Sequence, residues 1–342
     1  MRSKFAVWTA ALAMTAALLP GSVNATPDTA WCDAATRYST ARRGVAVLVL
    51  ENGKVICESN TAARAAPYEL WSGTKSFVGV LAAAAVQDDF LSLDELAADT
   101  LTEWRDDPRK RTITIRQLLS MTSGQPSVIG KPPTYRGALD VPLTTDPGER
   151  FQYGATPLQT FGEIMKRKLK ASGRSDDILE YLGSRILRPI GFHYDAWRLG
   201  ADGNPLLPQG MAARASEWAK FGEFIRAGGR VHGKRIVDRA TFAAMFRGSA
   251  AHPGYGLTWW LPHASRVPDP ITSETDIGAR SSQLPRDLVM AAGAGDQRLY
   301  IIPSRNLVIV RQATLDLAAL AVGQVAPSGW SDADFLITVL RR

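Results

Sequence analysis

The chain has 342 residues, 45% apolar and 21% charged, with a mean hydropathy of −0.09, which excludes a disordered or collagen-like polypeptide. Its 29 glycines and 20 prolines are spread along the sequence rather than gathered in a low-complexity tract, and no internal repeat is visible. The formal charge of +7 is a mild excess; the densest basic stretches, Arg109-Lys110-Arg111 and Lys166-Arg167-Lys168, are short and lack interleaved aromatics, so they read as solvated faces rather than nucleic-acid contacts.

Met1-Arg2-Ser3-Lys4 is basic, Phe5 to Leu19 is apolar, and Val23-Asn24-Ala25 is a small-residue cleavage site, the pattern of an export signal over residues 1–25. The rival, an uncleaved anchor, needs about 20 apolar residues, and Pro20-Gly21 ends this run sooner. Removing it takes away two cations and no acid and leaves a single domain over 26–342, periplasmic or secreted, with no membrane contact. An exported chain meets an oxidising compartment, so Cys32 and Cys57 form a candidate disulfide; two buried free thiols are the alternative.

In chain order, Val45–Leu50, the turn Glu51-Asn52-Gly53-Lys54 and Val55–Cys57 predict a β-hairpin, so the mature chain is expected to open with strands. From Ser72 the apolar spacing through Phe77, Val80, Leu81, Ala84 and Ala85 predicts a buried helix. Residues Leu91–Leu101 read as a short acidic helix or loop, and Pro132-Pro133 and Pro147-Gly148 mark a long irregular connection. The middle, Leu158 to Phe246, is helical in period at Leu158–Leu169, Asp177–Leu187 and Ser216–Gly228, without a convincing strand. Strand patterns return at Tyr255–Leu261, Leu288–Ala292, Arg298–Ile302 and Leu307–Gln312, before a closing helix at Asp332–Arg341. These elements predict an α+β domain whose antiparallel sheet joins the two ends of the chain (about 26–70 and 250–342), flanked by helices, around an inserted helical part (about 71–249).

Ser72-Gly73-Thr74-Lys75 places a hydroxyl and an ammonium three residues apart at a helix start, one turn apart on the same face. A serine hydroxyl needs a base to become a nucleophile, and a desolvated lysine can serve. Taken alone the motif is weak: Ser72 as a helix cap and Lys75 as a solvated first-turn residue is the plainer reading. No G-x-S-x-G or H-E-x-x-H occurs, His193, His232, His252 and His263 are scattered, and no glycine-rich phosphate loop is present, so neither a metal nor a nucleotide cofactor is implied.

Leu70-Trp71-Ser72-Gly73-Thr74-Lys75-Ser76, with the alanine-rich helix after it, resembles the active-site opening of the β-lactamase-related, penicillin-binding-protein-like serine hydrolases. Leu91-Ser92-Leu93-Asp94, Ile113 through Gly124, Pro147 through Tyr153 and Gly293 through Pro303 resemble further segments of that family, in order, over nearly all of the mature chain. The resemblance implies the β-lactamase/transpeptidase-like fold, no cofactor, Ser72 as nucleophile, and Lys75 and Tyr153 sharing its proton. It also implies an oxyanion hole from the backbone N–H groups of Ser72 and, by position, Asp296, with Gly293, Ala294 and Gly295 letting substrate approach the strand.

Two positions depart from the pattern. Members acting on β-lactams or D-Ala-D-Ala peptides usually carry Asn or Ser where this chain has Ala155, and a Lys/His-Thr/Ser-Gly third motif where it has Gly293-Ala294-Gly295. The departures resemble the esterase and 6-aminohexanoate-oligomer hydrolase branch, implying a small ester or amide as substrate; a β-lactamase or D,D-carboxypeptidase, or a non-catalytic descendant, are the alternatives. Arg298 could supply the missing cation but reads as a solvated strand residue, and the Asp296 carboxylate, unless it points away, would oppose charge developing in the oxyanion hole. Oligomeric state is not readable from the sequence.

Overall fold

The computed structural model describes residues 29–59, 65–128, 130–264, 275–317 and 328–342. The expected export signal, residues 1–25, lies outside the described residues. In chain order the elements are α1 (Ala30–Thr40), β1 (Gly44–Glu51), β2 (Lys54–Ser59), β3 (Tyr68–Glu69), α2 (Lys75–Gln87), α3 (Ala97–Thr100), α4 (Ile115–Leu119), α5 (Tyr135–Asp140), α6 (Thr156–Ala171) and α7 (Ile178–Leu182). There follow β4 (Ala196–Trp197), β5 (Met211–Ala213), α8 (Ala215–Arg226), β6 (Arg230–Val231), β7 (Lys234–Arg235), α9 (Arg239–Ala244), β8 (Val289–Gly293), β9 (Gln297–Ile302), β10 (Leu307–Ala313) and α10 (Asp332–Leu340).

Asn52 and Gly53 both take positive φ, 51° and 76°, the left-handed pair that turns a two-residue hairpin with the natural strand twist and so joins β1 to β2. The main sheet runs β2-β1-β10-β9-β8, antiparallel throughout, with Leu48 opposite Val310: the two ends of the chain do close one sheet. Because β1 is internal and covered on both faces, its residues Ala46 to Leu50 are all buried, which explains an apolar run without alternation. Helices α1 and α10 pack together, α1 also against β1, while α8 crosses β10, β9 and β1 on the other face. The inserted part is organised around α2, in which every residue from Lys75 to Ala85 is buried.

Several expectations are corrected. The described chain opens with a helix, α1, rather than a strand; Ala35 and Ser39 are its buried positions and Cys32 on it is disulfide-bonded to Cys57 on β2, Cα to Cα 5.6 Å. The helical middle is interrupted by β4 and β5, which join β3 in the order β3-β5-β4, and by the β6-β7 hairpin, pairings of two residues each, too short for periodicity to reveal. Of Leu91–Leu101 only Ala97–Thr100 is helical. Tyr255–Leu261 is not a strand: Thr258 has φ +70° and the Gly256 N–H bonds to the Trp259 carbonyl at 2.8 Å, so the segment folds on itself and is joined to the sheet by the isolated bridge Trp260 to Met290.

Candidate active site

The small sheet carries the serine. Leu70, just after β3, donates its N–H to the Met211 carbonyl on β5 at 2.9 Å, and Met211 N–H returns to Thr74 Oγ1 at 3.2 Å, so the turn between them is held at both ends. In that turn Trp71 has φ +48°, a left-handed conformation that a bulky residue adopts at a cost of about 1–3 kcal/mol. Its indole is stacked under the Arg198 guanidinium at 4.8 Å, itself paired with Glu69 at 3.1 Å. Trp71–Thr74 then forms a single 3-10 turn that runs into α2, and Gly73 sits where a Cβ would lie 2.8 Å from the Trp218 ring.

One turn on, Lys75 is 4% exposed; its Nζ donates to Ser72 Oγ at 2.9 Å and to the Pro208 carbonyl at 2.9 Å, and stands 4.7 Å from the centre of the Tyr153 ring. Burial penalises a charged amine, and a carbonyl, a hydroxyl and an aromatic face surround this one. Tyr153, 5% exposed, lies just before α6; Tyr255 stands edge-on to it at 5.8 Å and Trp260 packs at 5.4 Å. The two adjacent tryptophans face different neighbours: Trp259 stacks on Phe221 in the core, while Trp260 faces Tyr153. The backbone at Tyr153 is pinned by Ser127, whose hydroxyl donates to the Tyr153 carbonyl, and by the Ala155 N–H to Val128 carbonyl bond of 3.1 Å. Ser72, Lys75 and Tyr153, 81 residues apart in sequence at their extremes, are thus brought into one cluster.

The end of β8 closes the other side. A Cβ on Gly293 would lie 2.0 Å from the Leu70 carbonyl oxygen and 3.1 Å from the Gly73 nitrogen, so the strand backbone lies directly against the serine turn and only glycine fits. The hairpin from β8 to β9 turns through Gly295 and Asp296, φ +71° and +62°. Asp296 does not aim its carboxylate at the serine. Ser328 Oγ donates to it at 2.6 Å, and Arg298 and Arg311 approach it at 3.4 and 3.9 Å. Arg311 also reaches Ser39 Oγ of α1, whereas its neighbour Gln312 reaches the Ala213 carbonyl of β5; adjacent strand residues face opposite ways, so the Asp296 carboxylate lies on the α1 face and the serine turn on the other.

Arg298 is the clearest correction among the charged residues. It is not solvated but 1% exposed, paired with Asp332 at 2.7 Å, and its Nη1 donates to the Gly293 carbonyl at 3.0 Å. Burial works against its charge, yet the Asp332 carboxylate holds its pKa above the ordinary value. Asp332 in turn, which burial alone would raise, is kept below the usual carboxylate range by Arg298 and the Tyr300 and Trp330 donors. Arg298 is therefore engaged with the strand end and with Asp332, and is not presented to a substrate.

The beta-lactamase family model matches residues 32–319, most of the chain. The chain belongs to the beta-lactamase family. Among solved structures it is similar to a Bacteroides dorei DSM 17855 protein provisionally assigned as a beta-lactamase (TM-score 0.71, 20% identity, 92% of this chain and 99% of that one). It is also similar to a Bacillus anthracis protein provisionally assigned as a 6-aminohexanoate-dimer hydrolase (TM-score 0.63, 18% identity, 84% and 79%). A third is EstCE1, a hydrolase with promiscuous acyltransferase activity (TM-score 0.62, 17% identity, 91% and 96%). At these identities the likeness is one of fold. Protein flp of Staphylococcus aureus (strain COL) is 25% identical over 178 residues, 45% of this chain, and the match spans only 35% of that relative's length.

Within this beta-lactamase-family fold, four contributors to the cluster were not anticipated: the Pro208 carbonyl, Ser127, Tyr255 and the Arg198–Trp71 stack. The first two act through backbone or a lone hydroxyl and leave no trace in a sequence pattern. Ala155, the N-cap of α6, is buried.

Proposed function

We propose that this protein is an exported serine hydrolase that cleaves a small, uncharged ester or amide through an acyl-enzyme on Ser72. The observation that carries the reading is the buried Lys75 Nζ, 2.9 Å from Ser72 Oγ and 4.7 Å from the Tyr153 ring centre. In acylation Ser72 Oγ bonds to the substrate carbonyl carbon while its proton passes to the Lys75–Tyr153 pair. The oxyanion is met by the Ser72 N–H and a backbone N–H from the Gly293–Asp296 turn, whose first residue, Gly293, lies against the serine turn. The same pair then protonates the leaving alcohol or amine. Water enters, loses its proton to the pair, and attacks the ester carbonyl to release the acid and restore the Ser72 hydroxyl.

Preference for uncharged substrates follows from what lines the strand. Gly293-Ala294-Gly295 offers no cation or hydroxyl, and Arg298 and Arg311 are buried among acids and carbonyls behind it. A substrate carboxylate would forgo a charge-assisted hydrogen bond of about 1.5–3 kcal/mol, which disfavours penicillins and D-Ala-D-Ala peptides. Export is supported by the basic-apolar-small pattern of residues 1–25 and by the Cys32–Cys57 bridge.

The test is the intact mass of the protein after exposure to a fluorophosphonate, with the adduct mapped by peptide sequencing. An adduct on Ser72, absent from Ser72→Ala, is expected. An unmodified protein, or equal labelling of Ser72→Ala, would refute the acyl-enzyme.

A further inference from the structure

Away from Ser72, helix α8 crosses β10, β9 and β1 and leaves the outer strand β2 less covered. The consequence is a groove of about 730 Å³ between the β1–β2 hairpin, α8, the Arg188–Gly191 turn and the β6-β7 hairpin, within the size range of small-molecule sites. Its floor is apolar: Leu48 and Leu50 from β1, Val55 from β2, Phe224 from α8 and Ile190. Val55 is 51% exposed there, an uncovered β-branched side chain on an edge strand.

The charges around this floor are unbalanced. The carboxylate lining it, Glu223, pairs through Oε2 with Arg226 at 2.7 Å, its Oε1 having no hydrogen-bond partner among the described residues, and Lys220 pairs with Glu217 at 2.7 Å. Arg188 and Arg230 also line the groove, and neither has an acidic partner among the described residues; Arg230 donates only to the Gly233 carbonyl at 3.0 Å. His232 adds a further basic group at the same end. Crowding of positive charge is felt next door, where partial burial and then Arg230 and Arg239 push the Arg235 guanidinium below its ordinary pKa. An apolar trough ending in uncompensated guanidinium groups is complementary to one kind of ligand: an apolar chain carrying an anionic head.

We infer that this groove binds a single-chain anionic amphiphile, with its chain along Leu50, Val55 and Phe224 and its head group on Arg188 and Arg230. Calorimetric titration with sodium dodecanoate, kept below its micelle-forming concentration, tests this. Dodecanoate is expected to bind and acetate not to. Arg188→Gln with Arg230→Gln is expected to weaken binding about tenfold or more, and Val55→Glu, which sets a like charge in the floor at a tolerant exposed position, to abolish it. Protein whose Ser72 has been blocked by the fluorophosphonate should bind dodecanoate unchanged, and the arginine variants should hydrolyse a short-chain ester at the unaltered rate. Absence of dodecanoate binding, equal affinity in the double arginine variant, or loss of binding on blocking Ser72 would each overturn the inference. So would sedimentation with phosphatidylglycerol vesicles without affinity for dodecanoate, since that would make the groove a membrane contact.

Discussion

Gly293→Ala isolates the contribution of the strand that lies against the serine turn. The added methyl would sit 2.0 Å from the Leu70 carbonyl oxygen, where an ordinary van der Waals contact begins at 3.4 Å, so the end of β8 must retreat from Leu70 by about 1.4 Å. Neither side yields cheaply. Leu70 is anchored to Met211 at 2.9 Å, and Gly293 is anchored through its carbonyl to Arg298 at 3.0 Å. Overpacking of this kind costs roughly 1–3 kcal/mol, a loss of a few degrees in Tm, and the domain should remain folded. Catalysis should suffer far more, because the backbone donor on this strand and the acyl carbon would separate by more than the ångström that costs about 10² in rate, and loss of one oxyanion donor costs about 10²–10³. The expected outcome is a drop in kcat of about two orders of magnitude on a p-nitrophenyl ester, a parallel drop in fluorophosphonate labelling of Ser72, and a Tm within several degrees of the parent. A variant with intact fold and a rate within threefold of the parent would show that this strand does not furnish the oxyanion contact.

Tyr153→Phe removes only the phenol hydroxyl; kcat for ester hydrolysis should fall by about 10²–10⁴ while thermal stability stays near that of the parent, since the ring packing on Trp260 and Tyr255 is kept. Replacing Cys32 and Cys57 by serine opens a cross-link spanning 25 residues and should lower unfolding stability by about 3 kcal/mol in denaturant titration. Asp332→Asn leaves Arg298 buried without its carboxylate and should cost about 3–5 kcal/mol; the lowered pKa of Asp332 means that this contribution is present above the ordinary carboxylate range and is lost as pH falls through its folded value, so the gap between parent and variant narrows in acid. Glu103 is pulled down to about 2 by hydrogen bonds from Arg167, so its contribution holds above the ordinary value of 4.5 and disappears between there and pH 2. Glu103→Gln should lower stability by about 1–2 kcal/mol at pH 7, the partial exposure of the cluster trimming what the shift alone implies, and by progressively less below pH 4.

Most of the sheet was legible because its strands are long enough to show their character. The apolar run Val45–Leu50 with the Asn52-Gly53 turn declares a hairpin, and Leu307–Gln312 declares a strand; that the two strands are neighbours is seen only in the structure. Ser72 and Lys75 were legible because helical spacing puts them on one face; Tyr153, far along the chain, could be joined to them only through the flanking family segments. What escaped was whatever depends on a few backbone atoms. β3, β4 and β5 pair over two residues at a time, yet they position the serine turn, and the Pro208 carbonyl that receives Lys75 belongs to a stretch with no pattern but turn residues.

The charged residues after β8 show why single-residue judgements fail there. Arg298 and Asp296 are two apart and so share a face of the strand or its continuation, and Arg311, directly across the β9-β10 ladder from Arg298, shares it too. Asp332, on α10, supplies the carboxylate that Arg298 needs, and the half-buried Asp296, held by Ser328, joins the same paired cluster on that face of the sheet. Read one at a time, the arginine is a surface residue and the aspartate a threat to the oxyanion. Read by face, the aspartate is drawn to the side away from Ser72, and the arginine that draws it also holds the Gly293 carbonyl, so the arginine that looked like a surface residue fixes the strand against which the site is built.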